Sequence, residues 1–130
     1  MSWMLLALLA VSLSAVIFAV PRPAAAGPAE GLAYILANQT KDGGFREPGR
    51  GESGQDATTA WCVMALAASG RDPRAARKGG LSPLDFLASQ AGNWRSVTDF
   101  ERTLLAVAAA GEDPRSFAGI DLVAKVRSFQ

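Results

Sequence analysis

Apolar positions along this chain fall into separate blocks, and the spacing inside each block predicts what it forms. Residues 4–20 are an almost unbroken apolar run, interrupted by Ser12 and Ser14. Leu32, Ile35 and Leu36 share one face at helical spacing with Tyr34 beside them, which predicts an amphipathic helix over about 29–38. The stretch from Gln39 to Gln55 carries Gly43, Gly44, Gly49, Gly51 and Gly54, too many for continued helix, and predicts a loop. A second helix is expected to begin between Ser53 and Asp56, with Ser53-x-x-Asp56 as a capping pair, and to end at Ser69. Gly70 is a natural left-handed terminator, and Pro73 prevents resumption. From Ala60 to Ala68 this helix is apolar on every side, which predicts burial all round.

The same syntax then returns. A third helix is expected over 83–89, followed by Gln90-Ala91-Gly92-Asn93-Trp94, a shorter form of the stretch that joins Gln39, Gly43 and Phe45. Ser96-x-x-Asp99 repeats the capping pair, and a fourth helix runs to Ala110, apolar all round from Leu104. Gly111-Glu112-Asp113-Pro114-Arg115 copies Gly70-Arg71-Asp72-Pro73-Arg74 at an offset of 41. A fifth helix is expected over 119–129, with Gln130 in the place of Gln39 and Gln90. The unit is an αα-hairpin, present twice and begun a third time. Units of this kind bury their faces against neighbours.

The first block stands apart. Pro21-Arg22-Pro23 and Ala24-Ala25-Ala26 follow it, and Ala24 and Ala26 fit an Ala-x-Ala cleavage signal before Gly27. No Lys or Arg precedes the run, and its length of about 17 residues is at the lower limit for spanning a bilayer. Residues 1–26 are therefore read as a signal peptide, or an N-terminal anchor if uncleaved, and 27–130 as the folded segment. Either reading puts the chain at the cell surface or outside the cell, with membrane contact only through residues 4–20.

Charge removes one class of partner. The chain has 130 residues and a net charge of +1, so it carries no basic footprint for nucleic acid. Arg71, Arg74, Arg77 and Lys78 are the nearest thing to a cluster, and they suit a helix C-terminal end. Cys62, the single cysteine, lies in an apolar run and reads as a small core hydrophobe. There is no His to activate a thiolate, complete a Ser/His/Asp arrangement or ligate a metal.

Gly31-x-x-Tyr34-Ile35-x-x-x-Gln39-x-x-x-Gly43-x-Phe45 resembles the glutamine–aromatic repeat of the prenyltransferase and squalene-oxidase repeat families. Phe86-Leu87-Ala88-Ser89-Gln90 with Gly92 and Trp94 is a weaker copy, and Thr58-Thr59-Ala60-Trp61 followed by Met64 is similar to the family's inner helices. This chain has Glu30 and Phe45 where the pattern usually has a basic residue and Trp. The resemblance implies an all-α fold, an incomplete α/α toroid of αα-hairpin repeats. It also implies that Gln39, Gly43, Phe45, Gln90 and Trp94 are structural, each Gln hydrogen-bonding helix-terminal backbone and each ring packing between repeats.

Enzymes with this toroid use an Asp-x-Asp-Asp acid, or zinc held by Asp, Cys and His. Here Asp42, Asp56, Asp72, Asp85, Asp99, Asp113 and Asp121 are isolated, and no cofactor or metal is expected. Exported proteins with such repeats also resemble the cobalamin-carrier toroid, which implies a small hydrophobic or cobalamin-like ligand, with Trp61 and Met64 as candidate cavity contacts. The expectation is thus an exported, non-enzymatic repeat segment, structural or ligand-binding and part of a longer protein. A fragment of a cyclase or prenyltransferase-like enzyme, and a protein-interaction scaffold, are the alternatives.

Overall fold

The computed structural model describes residues 27–130, and the apolar run 4–20 with its cleavage signal lies outside them. The described fold is all-α. Its helices are α1 (Pro28–Ala37), α2 (Asp56–Ala68), α3 (Pro83–Ser89), α4 (Val97–Ala109) and α5 (Leu122–Arg127), with short 3-10 turns at Pro73–Ala75 and Ala91–Asn93. Among the described residues, extended pairing is limited to isolated antiparallel bridges at Gln39–Phe45, Lys78–Leu81 and Phe117–Ile120.

Local chemistry fixes the helix ends. Ser82 and Asp85 form a reciprocal capping box at α3, and Ser96 and Asp99 form the expected one at α4. At α2 the expected cap is overturned. Gln55 is its N-cap residue, no side chain caps it, and the Asp56 carboxylate instead accepts a hydrogen bond from Trp94 Nε1 at 3.2 Å. The fifth helix is shorter than 119–129, because Ala118 and Gly119 both take positive φ in a tight turn. Asp121 then caps α5 by accepting from Ala124 N. The tight turn at Lys78–Leu81, where Gly79 and Gly80 have positive φ, has the same form, so Phe129, not Gln130, holds the place of Gln90.

Helices α2 and α4 pack side by side, α3 packs on α2, and α5 packs on α4. Their shared core holds Ala60, Val63, Leu84, Leu87, Phe100, Ala106, Val107 and Leu122. The N-terminal end of α2 meets the start of α4 through the Asp56–Trp94 bond. Its C-terminal turn meets the end of α4, where Arg74 Nη2 donates to the Ala110 carbonyl at 3.2 Å. The two helices therefore run parallel.

Neither helix is buried all round. Trp61 on α2 is 61% exposed and Leu105 on α4 is 53% exposed. Only one face of each helix meets a neighbour, and an apolar composition does not itself provide a partner for the other. Helix α1 has no buried residue, and Leu32, Ile35 and Leu36 are only partly covered.

Gly43 tests how tightly the first loop is docked. Its φ is +88°, and a Cβ there would meet the Ser82 carbonyl oxygen at 2.5 Å. Gly49 has φ +80° with open space around it. Gly43→Val is expected to lower stability by about 3 kcal/mol or more, combining backbone strain with overpacking. Gly49→Ala, with strain alone, should cost about 1 kcal/mol. Urea unfolding of both variants checks this, and equal losses would show that the Gly43 contact is not constraining.

Candidate functional site

The glutamine–aromatic positions and the candidate cavity contacts Trp61 and Met64 lie in different parts of the fold. The first group converges. Phe45 is fully buried, which carries its backbone into the interior, where every polar group needs a partner. Thr59 Oγ1 accepts from Phe45 N at 2.8 Å, and Gln55 N donates to the Phe45 carbonyl at 2.8 Å. Gln39 is buried beside it, and its Nε2 donates to the Gly43 carbonyl at 3.1 Å and to the Ala76 carbonyl at 2.7 Å. The second bond ties the first loop to the turn after α2. Lys78 Nζ donates to the Gln39 carbonyl at 2.7 Å and closes the same junction.

Asp42 organises the loop from within. Its carboxylate accepts from the Thr40 hydroxyl, from Gly44 N at 3.1 Å and from Gly54 N at 3.0 Å. Gly44 and Gly54 are thereby drawn together against the Phe86 ring, and a Cβ on either would meet atoms at 3.0 Å or less. Gln39, Gly43 and Phe45 thus form one knot.

Gln90 departs from the repeat pattern. Its amide donates to Ser89 Oγ and its Oε1 accepts from Asn93 Nδ2, so it remains a local surface group. The shorter loop after α3 puts no distant carbonyl within its reach. Trp94 does fill its expected role. It is buried, edge-to-face with Phe100 at 5.8 Å between ring centroids, and bonded to Asp56.

Trp61 and Met64 do not meet in an enclosed cavity. Trp61 stands on the outer face of α2, while Met64 is half-buried against the core. The clefts beside the knot lie elsewhere. One, of about 460 Å³, is lined by Lys41, Asp42, Arg46, Glu52, Ser53 and Lys78 among others. Another, of about 430 Å³, has Leu36, Leu66, Ala75 and Ala76 as apolar lining, with Arg71, Asp72 and Arg77 around them.

The titratable groups are arranged for structure. Asp42 is partly desolvated, but its hydrogen bonds from Thr40, Gly54 and Gly44 outweigh that and hold its pKa below 3.8. Asp85 is lowered by the backbone and hydroxyl of Ser82, and Asp99 by the backbones of Ser96 and Arg95. Asp56 moves the other way, because burial raises its pKa more than the Trp94 bond lowers it. Burial pushes the Cys62 thiol up to about 11, far from an activated thiolate. Among the described residues, no group of three or more His, Cys, Asp or Glu side chains could hold a metal ion. Nor is any helix there long and apolar enough to cross a membrane.

Sequence reasoning missed the fastening between α2 and α4. Arg74 reaches the Ala110 carbonyl and pairs with Glu112 at 3.4 Å, while its own turn is held by Asp72 accepting from Arg74 N at 3.0 Å. The repeated Gly-x-Asp-Pro-Arg motif was the available signal. It marked the turn, but not the direction of the arginine. Comparison with family models, curated proteins and solved structures finds no match to this chain.

Two measurements test this site. Arg74→Ala is expected to lower stability by about 1 kcal/mol, since a charged hydrogen bond is lost at a half-exposed position. Arg74→Lys should recover little of the loss, because an ammonium lacks the guanidinium fork. The second measurement is the pH profile of unfolding. Asp42, Asp85 and Asp99 contribute stability that is complete above 3.8 and lost as pH falls through their lowered values. The contribution of Asp56 has the opposite sign: it is present below 3.8 and lost as pH rises through its raised value. Asp56→Asn is therefore expected to be at least as stable at pH 7. Asp56→Ala, which leaves the Trp94 N–H without its acceptor, should be about 1 kcal/mol less stable.

Proposed function

We propose that the chain is an exported, non-enzymatic repeat segment of the prenyltransferase and squalene-oxidase repeat type. It forms part of an α/α toroid and offers the outer face of α2 to a small hydrophobic ligand. The observation that carries this reading is the parallel pair α2 and α4, fastened at one end by Asp56 and Trp94 and at the other by Arg74 and Ala110. In a toroid, parallel neighbours of this kind form the inner ring, and the face away from the core looks into the central space. Trp61 stands on that face.

Three carboxylates favour a binding role over a catalytic one, and a fourth, Asp56, is engaged by Trp94. Asp42, Asp85 and Asp99 are each occupied by backbone N–H groups that favour the ionised form, whereas a general acid needs the reverse. A prenyl chain or a cobalamin-like ligand would find at Trp61 a large flat apolar surface, which favours burial on contact. An interaction scaffold is the second reading, favoured by the exposure of Leu105 and Phe129 beyond the second helix pair.

Photoaffinity labelling tests the ligand surface. The full chain is irradiated with a benzophenone-bearing farnesyl probe, with and without excess farnesol. Labelling is expected in the 51–71 tryptic peptide, which contains Trp61 and Met64. Farnesol should reduce it about tenfold, a free-energy difference of about 1.4 kcal/mol. Labelling that farnesol does not compete, or that is spread evenly over the peptides, would overturn the ligand proposal.

A further inference from the structure

Arg74 and Arg115 occupy the same place in two turns of the same shape. Gly70 and Gly111 both have φ +77°, and Asp72 and Asp113 each accept a hydrogen bond from the N–H of the arginine two residues on. Their side chains differ in what they reach. Arg74 fastens α2 to α4 through the Ala110 carbonyl and Glu112. The Arg115 guanidinium makes no hydrogen bond or ion pair among the described residues.

The helix positions before each turn differ in the same way. Val63 is fully buried, and Met64 packs against the core. At the offset of 41, their places on α4 are taken by Leu104, which like Met64 is half-buried against the core, and Leu105, which is mostly exposed. The edge of α4 therefore presents an apolar side chain, Leu105, and a cation, Arg115, whose counterparts on α2 are packed against the core and bonded.

We propose that this edge of α4 receives a further αα-hairpin, one whose second helix ends in a free carbonyl followed two residues later by an acidic side chain. Ala110 and Glu112 are that pair for Arg74, so the internal α2–α4 contact serves as the template. The inference rests on the repeat reading above and names the partner of its open edge. It also separates the partner from a plain copy of this chain. Arg71 holds the place of Glu112 at the end of α2, so a copy docked in this manner would set Arg71 against Arg115. That like charge acts against head-to-tail stacking of identical chains.

The charge argument can be reversed within the chain itself, making a variant of this protein the probe. Arg71→Glu supplies the acid that the edge is built to receive, at an exposed position with no described partner. Sedimentation velocity of the full chain in dilute non-ionic detergent, over a concentration series, reads the result. Arg71→Glu is expected to self-associate at least tenfold more tightly than the unaltered chain, weakening as salt is raised. Arg71→Glu combined with Arg115→Ala should return to the unaltered behaviour. Equal association of Arg71→Glu and the unaltered chain would overturn the inference, as would association that survives Arg115→Ala. The Arg74→Ala measurement keeps the two readings apart. Lost stability there without association here removes only the docking inference, whereas unchanged stability there removes the repeat reading beneath it.

Discussion

Burying Phe45 forces everything around it to be satisfied from within the chain. A fully enclosed ring in a glycine-rich loop carries the adjoining backbone polar groups away from water, and each unpaired group would cost about 1–3 kcal/mol. Thr59 and Gln55 supply the partners for Phe45 itself, and Gln39 and Asp42 supply those for the loop on either side. No buried side-chain nitrogen or oxygen among the described residues is left without a partner. The Gln39–Phe45 end of the loop is consequently held fast in the interior, although it lacks regular structure. That rigidity matters because the Ala76 carbonyl, held by Gln39, lies directly after the 3-10 turn that aims Arg74 at α4.

The same need to satisfy backbone explains the electrostatics. A chain that ends its helices with Ser-x-x-Asp boxes and Asx turns uses its carboxylates as acceptors for N–H groups. Accepting such bonds favours the charged form. Lowered pKa values at Asp42, Asp72, Asp85 and Asp99 are thus the signature of capping. Asp56 is the informative exception. It lies at a helix start without serving as a cap, and its partner Trp94 comes from the neighbouring helix pair, so the cost of its burial is partly offset by a bond that holds two units together.

The all-α class, the bounds of α3 and α4, the Ser96–Asp99 box and the left-handed ends at Gly70 and Gly111 were legible because each depends on residues within one turn of one another. The Gln39–Phe45 knot was legible only through its resemblance to a known repeat, since the Ala76 carbonyl lies far along the sequence. Long-range geometry defeated the rest. Ser53 and Asp56 have a capping spacing, yet Asp42 draws Gly54 back into the loop and leaves Gln55 to start the helix. Gln90 has the right neighbours in sequence but a loop too short to bring a distant carbonyl to it. Ser82-x-x-Asp85 carried the same cap signal as Ser96-x-x-Asp99 and could have been read from the sequence. The exposure of Trp61 follows from which helix faces have neighbours, which composition does not encode.

The two exposed apolar residues on the parallel helices have different origins, and this keeps the two proposed surfaces separate. Trp61 lies on a helix with almost no polar face, and its place on α4 is taken by Arg102, a cation paired with Asp99. The apolar outer face therefore belongs to α2 and does not continue onto α4 at that level. Leu105 stands in the place of Met64, which the core covers on α2, so its exposure is a property of an edge. A ligand seated on Trp61 needs no neighbouring hairpin to contact it, and a hairpin seated on Leu105 and Arg115 need not touch Trp61. Loss of one surface by mutation should consequently leave the other intact, since sites without shared partners contribute independently.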